Sequence, residues 1–194
     1  MKQFIYKYKS YFIGSTIALG VILLDQLTKW VTRLYIPNQY GSFNEPALKI
    51  IPNFFHLVEH HNFGVSWSSF ENNVFVLYVV PIIALTAFGY LFTKADFKSK
   101  KFYSIGLALM VAGTIGNFID RLSFGYVIDF LQFIFGSYVY PTFNVADMSL
   151  VTGVIMFAID ILFFEDIRNK KAQTESEPTE EHENNNNNWK RRYF

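Results

Sequence analysis

The chain has 194 residues, of which 51% are hydrophobic, and it carries a net charge of +1 with no cysteine. The absence of cysteine excludes disulfides, thiolate catalysis and cysteine-ligated metal sites, and the near-neutral charge does not favour a nucleic-acid partner. The apolar residues come in blocks of about 20, the length that an α-helix needs to cross a bilayer core. We therefore expect a membrane protein.

Four such blocks predict an all-α polytopic membrane protein with four transmembrane helices, over residues of about 11–36, 74–93, 102–119 and 145–164. The first block follows a lysine-rich start but continues into Asp25 without the small-residue cleavage site of a secretory signal, so we predict an uncleaved helix. The second block contains Pro81, which a packed transmembrane helix tolerates.

The distribution of Lys and Arg predicts the orientation of the spans, because cytoplasmic loops carry an excess of both residues. One side of the predicted membrane domain holds most of them: Lys2, Lys7, Lys9, Lys94, Lys98, Lys100, Lys101, Arg168, Lys170 and Lys171. Both termini are therefore expected in the cytoplasm, and the long segments 37–73 and 120–144 on the outer side.

Composition divides the chain into three parts. We predict a cytoplasmic N-terminus over 1–10, a membrane domain over 11–166 and a disordered cytoplasmic tail over 167–194, where Glu, Asn, Ser and Thr dominate. Within the first outer loop, strand-like runs on either side of Pro52 predict a small extramembrane β-cradle over about 37–73.

Two ionisable residues lie inside the first span, where each is costly and therefore a candidate for function. Asp25 and Lys29 are four residues apart, so they share one helix face. Two compatible interpretations are open: an ion pair at the outer end of the span with Lys29 extending outward, or a pair that supports an active site.

The third span ends in a face that is small and polar. Gly113 and Gly116 are spaced for close helix packing, which is the interpretation we favour for them. Asn117, Asp120 and Arg121 continue the same face. They could form a packing contact and a surface cluster, but for Asn117 and Arg121 we favour a role in organising a site.

Asp129 and Asp147 form the candidate catalytic pair. Alone, Asp129 is an interfacial charge in an apolar stretch, and Asp147 completes a helix cap with Asn144. Both are predicted near the outer membrane face, and two close carboxylates share a proton because they do not easily ionise together. One can then activate water while the other protonates the substrate. This pattern predicts peptide hydrolysis without Ser, Cys or metal.

Other interpretations fit less well. The histidines at 56, 60 and 61 lack the spacing of a metal-binding helix, and the serines at 66, 68 and 69 have no evident base. A small proton-coupled transporter would use intramembrane acids, and Asp160 favours it, but the other acids cluster at one face. A membrane scaffold without catalysis would not need the pair at all.

Four sequence blocks, in order on this frame, resemble the lipoprotein signal peptidase (type II signal peptidase) family. They are residues 25–29 (DQLTK), 62–68 (NFGVSWS), 116–121 (GNFIDR) with 125–130 (GYVIDF), and 143–147 (FNVAD). Each block is weak alone, but together they make a strong match that spans residues 11–166.

The resemblance implies an aspartic endopeptidase of the bacterial cytoplasmic (inner) membrane. Asp129 and Asp147 would be catalytic, with the active site near the outer face. The supporting or substrate-binding residues would be Asp25, Lys29, Asn62, Gly64, Asn117, Asp120, Arg121 and Asn144. The substrate would be a prolipoprotein, cut just before a cysteine that carries a diacylglyceryl group. We expect a monomer that contacts membrane lipid and needs no metal or cofactor.

Overall fold

The computed structural model describes residues 2–36, 48–64 and 75–176. The elements are α1 Lys2–Tyr35, β1 Leu48–Ile51, β2 Phe55–Asn62, a π-helical turn Phe75–Val79, α2 Val80–Phe92, α3 Lys101–Phe124, β3 Val127–Phe135, β4 Tyr138–Val139, α4 Val145–Ile159, a second π-helical turn Asp160–Phe164 and α5 Glu165–Ser176. The parts of the predicted cradle at 37–47 and 65–73 and the tail from 177 onward lie outside the described residues.

The helices confirm the predicted class. Among the described residues, three helical stretches are long and apolar enough to cross a membrane: Lys7–Tyr35, Lys101–Phe124 and Val145–Lys171. They coincide with the first, third and fourth predicted spans. The second predicted span corresponds to the shorter apolar stretch Leu77–Phe92. These helices expose large apolar side chains such as Phe12, which is 75% exposed, as hydrocarbon-facing surfaces do.

Helix α3 is the centre of the unit formed by residues 1–157. Its buried residues Tyr103, Leu107 and Met110 form an apolar cluster against which side chains of α2 and α4 pack, among them Phe88 and Leu150. α1 also packs along α3. The polar end of α3 is therefore held where side chains from several elements meet.

Glycines allow α3 and α4 to approach closely. A Cβ atom at Gly106 would lie 2.8 Å from the carbonyl oxygen of Gly153, and a Cβ at Gly113 would overlap the carbonyl of Ala146. At Gly116 the close neighbour is the carboxylate of Asp25, 2.6 Å from such a Cβ. The packing role predicted for the glycines is thus what the geometry shows.

Adding one methyl group at Gly116 is expected to destabilise the fold. In Gly116→Ala the Asp25 carboxylate must move, at a cost of about 1–3 kcal/mol in the free energy of unfolding. Unfolding in detergent micelles measures this loss. Gly20→Ala is the matched control, because a Cβ added there has nothing within 4 Å and alanine favours helix. Equal stability of the two variants would contradict the close approach.

The extramembrane sheet was predicted within residues 37–73 alone, but its strands come from two segments of the chain. Among the described residues it has four strands in the order β1-β2-β3-β4, and all the pairs are antiparallel. The predicted cradle provides β1 and β2, but β3 and β4 come from the segment between α3 and α4. Two separate segments of the chain therefore build one sheet together, and β3 brings Asp129 opposite His60 of β2.

The pairing of β2 with β3 is interrupted close to that position. The register shifts between Leu57 and His60, so the chain bulges there before the last three pairs, His60 to Asn62 with Asp129 to Val127. Bulges re-aim side chains and are frequent beside active sites. Here the bulge precedes Asn62, the last residue of the strand.

The unit that begins at Ala158 contains the second π-helical turn and α5. The helix continues through Ser176, into the segment predicted to be disordered from 167. Glu165 and Asp166 lie in its first turn, where acidic residues favour a helix. Arg168 reaches back to Asp160 with two contacts of 3.0 and 2.5 Å. The acid that most favoured a proton relay is therefore held in a bidentate ion pair.

Candidate active site

A buried charge cluster joins α1 to α3. Nζ of Lys29 lies 2.9 Å from Oδ2 of Asp25 and 2.8 Å from Oδ2 of Asp120. The lysine is only 2% exposed, so the interpretation in which it extends outward to water is wrong. Asp120 is 1% exposed, so it does not belong to a surface cluster either. Two carboxylates offset one buried ammonium, and the cluster has hydrogen bonds to satisfy the remaining oxygens.

Those hydrogen bonds anchor the elements that carry the candidate catalytic acids. Oδ1 of Asp25 accepts the backbone N–H of Ala146 at 2.9 Å, at the start of α4. Oδ2 of Asp120 accepts the backbone N–H of Ile128 at 3.1 Å, next to Asp129. Each carboxylate of the cluster therefore fixes the backbone immediately before Asp147 or Asp129.

Gln26 is a member of this cluster that the sequence analysis missed. Its Nε2 lies 3.0 Å from Oδ1 of Asp120, 3.2 Å from Oδ2 of Asp25 and 3.1 Å from the carbonyl of Gly116. The amide links α1 to α3 beside the lysine. Its position between Asp25 and Lys29, in the first block that resembles the family, could have indicated that Gln26 belongs to the cluster.

Two asparagines connect the charge cluster to the candidate pair. Oδ1 of Asn117 accepts from Lys29 at 3.1 Å and from Asn144 at 3.0 Å, and its Nδ2 donates to Oδ1 of Asp147 at 2.7 Å. Nδ2 of Asn144 donates to Oδ1 of Asp129 at 2.7 Å. Each amide uses both its oxygen and its nitrogen, so the network also fixes the amide orientations.

The start of α4 has the predicted helix cap. The backbone N–H of Asp147 donates to Oδ1 of Asn144 at 2.9 Å, and the backbone N–H of Asn144 donates to Oδ2 of Asp147 at 3.2 Å. This reciprocal arrangement is a capping box, and it places a carboxylate at the positive end of the helix. The predicted capping box is therefore present, and Asp147 also accepts a hydrogen bond from Asn117 on its other oxygen.

Asp129 is buried, at 1% exposure, on β3. Burial, followed by the nearby negative charge of Asp147, raises the pKa of Asp129 from 3.8 to about 7. Hydrogen bonds from Asn62, at 2.9 Å to Oδ2, and from Asn144 oppose this rise. Asp129 thus holds a proton close to neutral pH, beside a second carboxyl group that repels its ionised form.

Comparisons with known proteins decide the family. The model for the family "Signal peptidase (SPase) II" matches residues 17–163, which is most of the chain and contains all of the site described above. The chain belongs to the signal peptidase II family. It is accordingly a peptidase. The members of this family are bacterial membrane enzymes that remove signal peptides from prolipoproteins.

The chain is similar to known lipoprotein signal peptidases along most of their length. The chain is 40% identical over 146 residues to the lipoprotein signal peptidase of Bacillus pumilus, covering 75% of this chain and 90% of the relative. It is 36% identical over 170 residues to that of Staphylococcus aureus strain JH9, covering 86% and 98%. A solved bacterial membrane enzyme has a TM-score of 0.66 at 33% identity, covering 81% of this chain and 91% of the solved one.

The network places every site residue predicted for a signal peptidase II in one region, around the ends of α1 and α3, β2, β3 and the start of α4. Gly64 joins it through its backbone N–H, which donates to Oδ1 of Asn62 at 3.1 Å and leaves Nδ2 of Asn62 directed at Asp129. The histidines considered as metal ligands form no metal-binding group with these acids in the described part of the chain, where His60 is exposed and His56 lies beyond the bulge.

Arg121 lies beside the pair without an ion pair among the described residues. Its guanidinium interacts electrostatically with Asp147 and Asp129, and its Nε is buried without a hydrogen-bond partner in residues 2–36, 48–64 and 75–176. Its backbone carbonyl accepts from the hydroxyl of Tyr78 at 3.2 Å. A planar donor group is therefore held near two carboxylates, with a buried Nε that the described residues leave unpaired.

A cavity of about 290 Å³ lies further along the sheet. Among the described residues its lining is aromatic, from Phe133, Phe135, Tyr140 and Phe143. It shows that the end of β3 remote from Asp129 presents an apolar surface.

Proposed function

We propose that this chain is an aspartic endopeptidase that cleaves prolipoproteins on the N-terminal side of a diacylglyceryl-modified cysteine, with Asp129 and Asp147 as the catalytic pair. The observation that carries the proposal is the contact of Asn144 with both acids. Its side-chain amide donates to Asp129, while its backbone N–H and side-chain oxygen contact Asp147. One residue thereby fixes the spacing of two carboxyl groups.

The mechanism follows from one proton shared by the pair. Asp129, with a pKa of about 7, holds the proton, and the carboxylate of Asp147 accepts a proton from the attacking water. Asp129 then protonates the departing amine as the tetrahedral intermediate collapses. Donors from Asn117 and Asn62 hold each carboxyl group in place during the transfer. No covalent adduct with the protein forms.

Arg121 and Asn62 are proposed to bind the backbone of the leader peptide. The guanidinium of Arg121 lies beside the pair, its Nε has no hydrogen-bond partner among the described residues, and its positive charge can stabilise the oxygen that becomes negative during attack. Lys29 contributes positive charge from a greater distance through Asn117. Arg121 thus contributes to both binding and charge stabilisation, while Asn62 contributes to binding and Lys29 to charge.

The membrane setting matches the proposed substrate. A diacylglyceryl anchor holds its peptide bond at a fixed depth near the interface, and the pair lies where apolar helices meet the sheet. With the orientation predicted from Lys and Arg, the termini lie in the cytoplasm and the pair near the outer face of the cytoplasmic membrane. We propose that the protein acts there as a monomer and without a cofactor.

The test of this function is cleavage of a defined peptide by purified protein in micelles. One substrate carries the diacylglyceryl-modified cysteine, and a second has the same sequence with an unmodified cysteine. We expect the first to be cut just before the cysteine, as mass spectrometry of both products shows, and the second to be cut far more slowly. Equal cleavage of both, or cleavage of neither by folded protein, would contradict the proposal.

The pH dependence of cleavage is expected to depend on Asn62. Activity should fall as the pH rises through about 7, because the pair then loses its shared proton. The hydrogen bond from Asn62 favours ionised Asp129, so Asn62→Leu raises the pKa of Asp129 and moves this alkaline limit to higher pH. The optimum rate also falls. Profiles of kcat/KM against pH measure the limit in the free enzyme, and kcat at the optimum pH measures the fall in rate.

Asn169→Leu is the control for that profile, since Asn169 is exposed on α5. Its alkaline limit should match that of the wild type. A limit in Asn62→Leu that stays in place or moves to lower pH would show that Asn62 does not act on Asp129.

A further inference from the structure

A group of polar and charged side chains from β2 and the end of α1 lies next to the candidate site and has no role in the proposed chemistry. Nε2 of His61 lies 2.8 Å from Oε1 of Glu59, and the same oxygen lies 3.8 Å from Nε of Arg33, in the last turn of α1. The side chain of Glu59 is only 4% exposed and that of His61 8%. We call these three residues the β2 anchor.

Aromatic rings tie the β2 anchor to the end of α3. The imidazole of His61 stacks on Tyr126, with centroids 3.9 Å apart and planes 18° apart. The guanidinium of Arg33 lies over the ring of Phe124 at 4.4 Å. The anchor therefore contacts α1 through Arg33 and the junction of α3 with β3 through both rings. Its members fix β2 relative to the two helices that carry the charge cluster.

The anchor acts on the residue next to it. Side chains alternate along a strand, so His61 faces away from the side of the sheet to which His60 and Asn62 point. Asn62 is the last residue of β2 and donates to Asp129, while the ladder before it is interrupted by the bulge after Leu57. Only a short stretch of pairing therefore holds the backbone of Asn62, and the side-chain contacts of His61 constrain it further, in addition to the hydrogen bond from Gly64 to Oδ1 of Asn62.

We propose that His61 is a positioning residue, which sets the distance between Asn62 and Asp129 through its bond to Glu59 and its stack on Tyr126. The inference rests on the proposed function, because it assigns His61 to the alignment of that catalytic pair. A displacement of about 1 Å in a group that aligns the reacting atoms can cost about 100-fold in rate. In this proposal His61 acts through Asn62 and has no direct role in the chemical step.

The contacts of the imidazole with Glu59 and Tyr126 can be separated by substitution, which gives matched variants. His61→Phe keeps a ring to stack on Tyr126 but removes the donor to Glu59, whereas His61→Gln offers an amide nitrogen at the place of Nε2. We expect His61→Phe to lower kcat by about 10- to 100-fold with KM within about twofold of wild type. His61→Gln should recover most of that loss. His56→Phe, the same change earlier in β2, should leave kcat within about twofold.

Combining His61→Phe with Asn62→Leu distinguishes a positioning role of His61 from a general loss of stability. In the Asn62→Leu background the contact with Asp129 is already gone, so adding His61→Phe should lower kcat no further. Multiplied losses in the double variant, or a kcat for His61→Phe equal to that of wild type, would overturn the proposal. Unfolding midpoints of all variants identify any that are misfolded, and His61→Gln keeps the test informative in that case.

Failure of the positioning role of His61 can be distinguished from failure of the proposed catalytic pair. If wild-type protein cleaves the lipidated peptide and Asp129→Asn abolishes cleavage, while His61→Phe is fully active, then only the positioning role fails. If Asp129→Asn remains active, the proposed catalytic pair fails, whatever His61→Phe does.

Discussion

Replacing Asp129 or Asp147 with asparagine is expected to lower kcat by at least about 10³-fold. Asparagine has nearly the same shape as aspartate, and its amide oxygen can still accept one of the two hydrogen bonds that each acid accepts, while its NH2 faces the other donor. It cannot take a proton from water or return one to the amine. The site therefore keeps most of its shape and loses its chemistry. Steady-state cleavage of the lipidated peptide measures the loss.

Two controls accompany these variants. Asp166→Asn makes the same change at an exposed position on α5 and should retain kcat within about twofold. Affinity for the lipidated peptide, measured separately, should survive both catalytic substitutions, because the acyl chains and the leader backbone provide the contacts. A variant that loses affinity and cleavage together would point to a damaged fold.

Replacing Lys29 with methionine is expected to have the largest effect on stability. Methionine has a similar length and no charge, so Asp25 and Asp120 lose their common counter-ion while both remain buried. Removing one partner of a buried ion pair typically costs about 3–5 kcal/mol. Unfolding in mixed micelles should show a loss of this size. Cleavage should fall as well, because Lys29 also holds Asn117.

A second substitution tests the reason for that loss. In Lys29→Met, adding Asp120→Asn removes one uncompensated carboxylate and should recover part of the free energy of unfolding. Lys98→Met, at an exposed lysine in the loop before α3, should stay within about 0.5 kcal/mol of wild type. A stable Lys29→Met, or a double variant less stable than the single one, would contradict a buried cluster held by charge.

The helices and the cap of α4 could be predicted because their causes are local. Blocks of about 20 apolar residues predict spans from length alone. Asn144 and Asp147 predict a capping box because the box needs only a three-residue spacing, and the structure has both of its hydrogen bonds. The spacing of Asp25 and Lys29 likewise predicted their pairing on one helix face.

The contacts that assemble the site could not be predicted from spacing. Asp25 binds the backbone of Ala146, and Lys29 reaches Asp120, through helix packing that depends on Gly116. The sequence marked these residues as costly in a membrane but did not say which would be neighbours. For the same reason Lys29 could be expected at the surface, although two acids from different helices enclose it.

Strands β3 and β4 escaped prediction for another reason. The segment Val127–Phe135 is apolar on both faces, with Asp129 and Gln132 as exceptions, so it lacks the alternation that identifies a half-exposed strand. Pairing with β2 makes it a strand, and that partner is remote in sequence. The helix through residue 176 was not predicted, because the polar composition of this segment indicated disorder. Composition does not reveal the ion pair of Asp160 with Arg168 in this part of the chain.

The central claim is that Asp129 and Asp147 act as one catalytic unit. Its most direct test is single-turnover cleavage of the lipidated peptide by wild type, Asp129→Asn, Asp147→Asn and the double variant, with enzyme in excess. We predict that both single variants lose cleavage almost completely and that the double variant loses no more, as residues of one unit do. Cleavage in either single variant above about a tenth of the wild-type rate would contradict the claim.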